Sequence, residues 1–383
     1  MNTAHLLAVC AAAGVAAASL SPVALAQTKP ADPAKPAAKD DAAAAPQAAA
    51  SSLDPEIKAL HDLLAGRYVA AERTFTIVPV TIPDTPGALF CEITRAGREN
   101  DPEAHVIFQF IKRRGSTFLR MYRFPGGGTV APGIANVPQA FPEFEGARLD
   151  LLTDLPVESD NPLTPTTFIA KTKDPIPTNT SGAVDMTSQF KVDKDGLMVY
   201  EVGYNAEGKD VWAFPIGDRV VFKRDKTPPS LETRPSGLVI DDYKPATDPN
   251  AREGKPGDSY TVHYRGWLPS GVVFDTSRQE GRQPFDITIP GGVIAGWNEG
   301  LIGMKVGASR RLYIPPVLGY GARGAGGVIP ANSWLVFDIE LLDLKKPEAP
   351  PPSTPKNDPG SNAGRPVDPV KDADKAVDKK KPE

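Results

Sequence analysis

From residue 27 to residue 52 the chain reads QTKPADPAKPAAKDDAAAAPQAAASS, without one large apolar side chain. Nothing there can offset the entropy of ordering, so the segment reads as a disordered spacer. Residues 347–383 are composed alike, PEAPPPSTPKNDPGSNAGRPVDPV and then a lysine-rich end, and read as a disordered, solvated tail. These two tracts hold 13 of the 41 prolines, and any packed core lies between them. A length of 383 residues is compatible with two or three domains.

The first 26 residues, MNTAHLLAVCAAAGVAAASLSPVALA, form an Ala/Leu/Val core that ends in Ala24-Leu25-Ala26. Small residues at the −3 and −1 positions are what signal peptidase requires, which predicts a signal peptide over 1–26. The mature chain then begins at Gln27, is exported to the periplasm or cell envelope of a bacterium, and carries no transmembrane segment. Cleavage removes Cys10 and leaves Cys91 alone, so no internal disulfide is expected. Cys91 sits in the strand-like run ALFCEIT and reads as a small buried apolar residue. The net charge is −4 with no basic block in the folded part, which excludes nucleic acid as a partner. The four histidines have no zinc-like spacing, and no metal or cofactor is expected.

Two globular blocks follow from the hydrophobic pattern. The first, residues 53–226, opens with the helix candidate DPEIKALHDLLAG, with Asp54 as N-cap, Pro55 in the first turn and Gly66 at the stop. Strand-like runs come next: RTFTIVPVTI, ALFCEIT, HVIFQFI, TFLRMYRF, GLMVYEVGY and VWAFPIGDRVVFKRD, the last a hairpin candidate around residues 215–218. The block reads as mainly β, a barrel or a sandwich. Its LLAGRY opening and its ending resemble lipocalin-like barrels of the bilin-lyase kind. Asp193-Lys194-Asp195-Gly196 lacks the remaining ligands of a calcium loop and is a turn. Gly126-Gly127-Gly128 lacks the Lys-Ser/Thr of a phosphate cradle and is a loop.

The second block, residues 227–346, reads as α+β, an antiparallel sheet covered by one short helix. DSYTVHYRGWL, VVFDTS, PFDITI, SRRLYIP and SWLVFDIELLDL are its strands. In IAGWNEGLIGM the residues Ile294, Trp297 and Leu301 fall on one helical side. Gly319, Gly321 and Gly324 of GYGARGAGGVIP match the G-x-G-x-x-G spacing of a dinucleotide fingerprint. That motif works only where a helix follows to hold the pyrophosphate. Here Leu335, Phe337, Ile339 and Leu341 alternate as in a strand, so the loop has another purpose.

Four segments in family order, VHYRGWLPSGVVFDTS, PFDITI, GGVIAGWNEGLIGMKVGASRRLYIPPVLGYGARG and GVIPANSWLVFDIELL, resemble an FKBP-type peptidyl-prolyl cis-trans isomerase domain. The resemblance spans the block and implies a five- to six-stranded sheet wrapped round the helix, with an aromatic pocket that receives proline. It implies a floor at Trp297, walls at Tyr264, Phe274 and Phe337, and further lining by Phe285, Val293 and Ile329. Three groups are implied to act on the bond. The Tyr320 hydroxyl donates to the substrate carbonyl, Asp275 orients Tyr264 or faces the carbonyl carbon of the twisted amide, and the Ile294 N–H is a second anchor. The glycines then serve to hold Tyr320 and Ile329 at the rim. The loop RQEGRQ, residues 278–283, is one residue longer than in the short single-domain members, and no site residue is carried over from it. Ala325 replaces a histidine found in some members, which bears on substrate preference.

Such residues suit the reaction. Rotation about an X-Pro bond meets a barrier of about 18–20 kcal/mol from amide resonance. No bond breaks, so neither nucleophile nor metal is needed. An apolar pocket withdraws the water that stabilises the charge-separated amide, and about 4–8 kcal/mol of differential binding gives a thousandfold to millionfold acceleration. The resemblance therefore implies an exported isomerase acting on proline-containing polypeptides as they fold, inhibited by macrolides such as tacrolimus. The alternative is a peptide-binding holdase using the same pocket without turnover, the first block serving as ligand carrier or client-binding module.

Overall fold

The computed structural model describes residues 53–98, 101–124, 129–142, 149–178, 181–214, 220–227 and 229–347. The stretches expected to be signal peptide and spacer, the loop at 126–128, the tip at 215–218 and the tail from residue 348 lie outside the described residues. As far as Lys346 the described residues make one compact unit.

Helix α1, Pro55–Leu64, starts where the Asp54 carboxylate accepts the backbone N–H of Glu56 and Ile57 at 3.0 and 3.3 Å. It stops at Ala65, which is already extended, and Gly66 opens the first strand instead of capping the helix. The capping comes from the far end of the block. Arg224 donates to the carbonyls of Ala65 (2.7 Å) and Leu63 while its guanidinium lies 4.7 Å from the centre of the Tyr68 ring.

Twelve strands make the first sheet. They are β1 Gly66–Val69, β2 Arg73–Pro79, β3 Leu89–Arg95, β4 Ala104–Arg113, β5 Ser116–Arg123, β6 Asp150–Ser159, β7 Thr167–Lys171, β8 Ile176–Pro177, β9 Asp185–Asp193, β10 Gly196–Tyr204, β11 Asp210–Phe214 and β12 Val221–Asp225. The pairings β12–β1 and β9–β10–β12 join the two ends of the meander, so β1 to β7 with β9, β10 and β12 form a closed antiparallel ring. A barrel results, and the sandwich is excluded. Residues of one parity fill it: Phe75 and Ile77, Leu89, Cys91 and Ile93, Phe108 and Phe110, Leu197 and Val199, with Leu60 and Leu64 of α1. Phe108 meets Phe190 edge-on at 5.8 Å and Phe110 meets Phe168 at 5.5 Å, so the centre is packed.

One expectation fails here. The run at 211–225 is not a hairpin, because β11 and β12 do not pair with each other. β11 folds back on the Glu201–Tyr204 half of β10, after a turn in which the Asn205 side chain accepts from Glu207 and Lys209, and β12 takes the Gly196–Met198 half. The two are halves of one broken barrel strand. Asp193 behaves as the expected turn residue, accepting the N–H of Asp195 and Gly196 at 2.9 Å each.

The second sheet holds β13 Leu231–Thr233, β14 Val239–Lys244, β15 Ser259–Trp267, β16 Val273–Thr276, β17 Phe285–Thr288, β18 Ser309–Ile314 and β19 Leu335–Lys345. Its order is β13-β14-β18-β19-β15, with β16 and β17 sharing the outer edge of β15. Helix α2 is shorter than the eleven-residue pattern suggests, Ala295–Gly300 only. It lies close on β18: a Cβ at Gly296 would sit 2.6 Å from Ile314, and one at Gly300 2.6 Å from Leu312. Leu312, Ile314, Leu335, Phe337 and Ile339 face the core beneath it. The opposite face of the sheet is also covered. Val239, Trp267, Tyr313 and Val336 pack with Phe90, Ile107, Phe124, Ile134 and Val137 of the first block in one buried cluster.

Candidate active site

Strand alternation places the site. Tyr264 of β15, Phe274 of β16 and Phe337 of β19 face α2, and Trp297 rises from that helix between them. Trp297 is 4% exposed and stands nearly perpendicular to Tyr264, at 5.2 Å, and to Phe337, at 5.3 Å. Phe274 meets Phe337 edge-on at 5.3 Å, and Phe285 of β17 lies 6.0 Å from Tyr264 and 6.2 Å from Trp297. Five rings thus form an aromatic box whose members meet mostly edge to face. Gly266 makes room within it, since a Cβ there would lie 2.7 Å from both Phe274 and Phe337. The indole Nε1 of Trp297 is buried and has no hydrogen-bond partner among the described residues.

Val293 and Ile294 border the box from the turn before α2. The Ile294 carbonyl accepts from Trp297 and Asn298, and its own N–H belongs to the group that a helix start leaves without an internal acceptor. Across from it the glycine-rich loop doubles back. Ala325 and Ile329 exchange backbone hydrogen bonds at 2.9 Å in both directions, and Ile329 is buried. Gly324 permits this at φ +62°, where a Cβ would come within 2.2 Å of the Ile329 carbonyl oxygen. Tyr320 stands beside the loop, 40% exposed, and Phe285 is 39% exposed, so these two rings form the rim.

Asp275 pairs with Gly266 in the β15–β16 ladder. One carboxylate oxygen accepts the Tyr264 hydroxyl at 2.6 Å, and the other accepts Arg282 at 2.6 Å and the N–H of Thr276 at 2.9 Å. Arg282 also donates to the Thr276 carbonyl at 3.0 Å. Burial first, then the hydrogen bond to Asp275, pushes the Tyr264 hydroxyl well above the usual tyrosine range. Burial, then the charge of Asp275, pushes Tyr320 up. The bond to Asp275 raises Arg282 further. His263, on the other side of β15 from Tyr264, bonds Ser277 at 3.0 Å.

All ten residues expected at the site from sequence thus lie on elements that converge on one place. Arg282 and Gly266 were not among them. Arg282 belongs to the loop whose length differs from the family pattern. Gly266 shows no more in sequence than a glycine within a strand, which signals a close approach without saying of what.

Residues 250–342 match the family model described as FKBP-type peptidyl-prolyl cis-trans isomerase. An FK506-binding protein of Neisseria meningitidis serogroup B is 50% identical over 109 residues, 28% of this chain and 96% of that protein. FK506-binding protein 1 of Dictyostelium discoideum is 54% identical over 90 residues, 23% of this chain and 83% of that protein. A crystal structure of FkpA from Escherichia coli shares 39% identity, with a TM-score of 0.29, over 32% of this chain and 55% of that one. With 50% identity over 109 residues that span 96% of the Neisseria meningitidis serogroup B protein, the chain belongs to the FKBP-type peptidyl-prolyl cis-trans isomerase family.

Proposed function

We propose that the chain is exported and isomerises X-Pro bonds in proteins folding in the bacterial envelope, with residues 227–346 as the isomerase domain and 53–226 as a companion barrel domain. The five-ring box carries the reading: dry beneath, with Trp297 almost wholly buried, and open at Phe285 and Tyr320. A prolyl ring fits over the indole face, with Tyr264, Phe274 and Phe337 around it. The Tyr320 hydroxyl, protonated at neutral pH as tyrosine ordinarily is, donates to the substrate carbonyl. The Ile294 N–H holds the chain on the other side, and Val293 and Ile329 exclude water at the edges. Asp275 is engaged by Tyr264, Arg282 and its neighbour's N–H, which suits a group that orients Tyr264 and not one that accepts a proton from substrate. In this enclosure the twisted, less polar amide is favoured over the planar one.

Magnetisation-exchange NMR on a short peptide with an apolar residue before proline tests the activity, using the full chain from Gln27. Exchange that takes tens to hundreds of seconds unaided should accelerate at micromolar protein, and FK506 should compete. Rates equal to buffer in folded protein that still binds FK506 would leave only a binding module. Export is tested separately by N-terminal sequencing of the native protein. A start at Gln27 is expected, and a retained Met1 in the cytosol would overturn the envelope assignment.

A further inference from the structure

The back of the isomerase sheet is not a free surface. Val273 and Val336 pack into the cluster shared with the first block, while the next residues, Phe274 and Phe337, face the pocket. These two pocket rings are thus each one peptide unit from a contact with the barrel side. The segment 129–134 makes the most specific of these contacts. Ala131 donates its N–H to the Pro269 carbonyl at 2.9 Å, in the turn that joins β15 to β16. Gly271, in the same turn at φ +82°, lies so close under Thr129 that a Cβ would be 2.2 Å from its carbonyl oxygen. The Gly133 carbonyl accepts the buried Tyr313 hydroxyl at 2.8 Å.

This segment is itself fixed to the barrel by a buried carboxylate. Glu92, 3% exposed on β3, accepts the Gly133 N–H at 2.9 and 3.2 Å and contacts His105 Nε2 at 3.2 Å. His105 in turn accepts from the Val130 N–H at 3.4 Å. Gly133 is clasped on its other side, where a Cβ would meet Tyr313 at 2.3 Å and Arg311 at 2.4 Å.

We propose that the barrel is a positioning element of the isomerase site: Glu92, through the 129–134 segment, holds the β15–β16 hairpin and so fixes Phe274 and Asp275. The Glu92 carboxylate bonds Gly133 and contacts His105, neither of them a pocket residue, and its effect on catalysis runs through the segment it holds. β17, which carries Phe285, has no residue in the shared cluster and serves as an internal reference.

The inference rests on the isomerase reading. Its test compares Glu92→Gln and the milder Tyr313→Phe with wild type, in the full chain and under conditions where each is folded. Amide hydrogen exchange at residues 273–276 should quicken about 2- to 10-fold relative to residues 285–288, and kcat/KM should fall by a similar factor. Faster exchange shared equally by both strands, or an unchanged kcat/KM in the folded variants, overturns the proposal, since a merely stabilising interface would lower the melting point and do no more. If wild type proves inactive, the isomerase reading fails while the exchange comparison still decides whether Glu92 holds β16.

Discussion

At the scale of single residues, Tyr320 and Phe337 separate two ways of lowering the barrier. Tyr320→Phe keeps the rim and loses one neutral hydrogen bond, worth roughly 0.5–1.5 kcal/mol, so the rate should fall by about 2- to 13-fold. Phe337 is in edge contact with Phe274 and Trp297 and is 4% exposed. A buried Phe→Ala change costs about 3–5 kcal/mol and lets water into the box, so Phe337→Ala should be the more damaging in protein shown to be folded. Magnetisation-exchange rates for the two variants check this. A loss of several thousandfold for Tyr320→Phe, with Phe337→Ala nearly silent, would mean that one donor and not dryness governs the rate. The aromatic residues were legible in sequence because strand alternation and family order both point at them. Arg282 was not, since a guanidinium on a loop of altered length finds its carboxylate only through the fold of that loop.

At the scale of elements, α2 shows how packing sets aside propensity. Two glycines in six residues weaken a helix, and alanine at either would strengthen it in isolation by about 1 kcal/mol. Against β18 the sign reverses, because the added Cβ at position 300 would lie 2.6 Å from Leu312. Overpacking of this kind costs about 1–3 kcal/mol. Gly300→Ala should therefore lower the thermal midpoint, as differential scanning calorimetry would show, and a raised midpoint would mean that the helix can shift outward freely. The same elements show where periodicity informs and where it does not. β2 to β5 and β10 announce themselves by apolar runs, but β6, DLLTDLPVES, breaks its apolar residues with Asp154, Pro156 and Glu158 and is absent from the strand-like runs. Ring closure was not legible either, because alternation tells which side chains face inward and nothing about which strands meet. Burial of β3 on both faces, Leu89 and Cys91 inward and Phe90 outward, becomes intelligible only with the second sheet behind it.

At the scale of the whole molecule, a carboxyl group inside the barrel links stability to pH. Glu201 has the parity of Leu197 and Val199, accepts the Ser188 hydroxyl at 3.2 Å through one oxygen, and leaves the other buried without a partner among the described residues. Burial pushes its pKa from 4.5 up to about 8. The folded state therefore binds this proton more tightly than the unfolded chain does. Its contribution is fully present below the ordinary value of 4.5 and is lost as pH rises towards about 8, at up to roughly 1.4 kcal/mol per pH unit. Denaturant midpoints measured from pH 5 to 8 should fall more steeply for wild type than for Glu201→Gln, and parallel curves would refute this.

The closed ring has a consequence for the company such a molecule can keep. The described strands that end the two sheets are short: two residues in β8, five in β11, three in β13 and four each in β16 and β17. An extended polypeptide seeking a template for backbone pairing finds only short ladders at these ends. In the role proposed above, among unfinished chains, the aromatic pocket is the place of contact and the sheet ends offer those chains little to pair with.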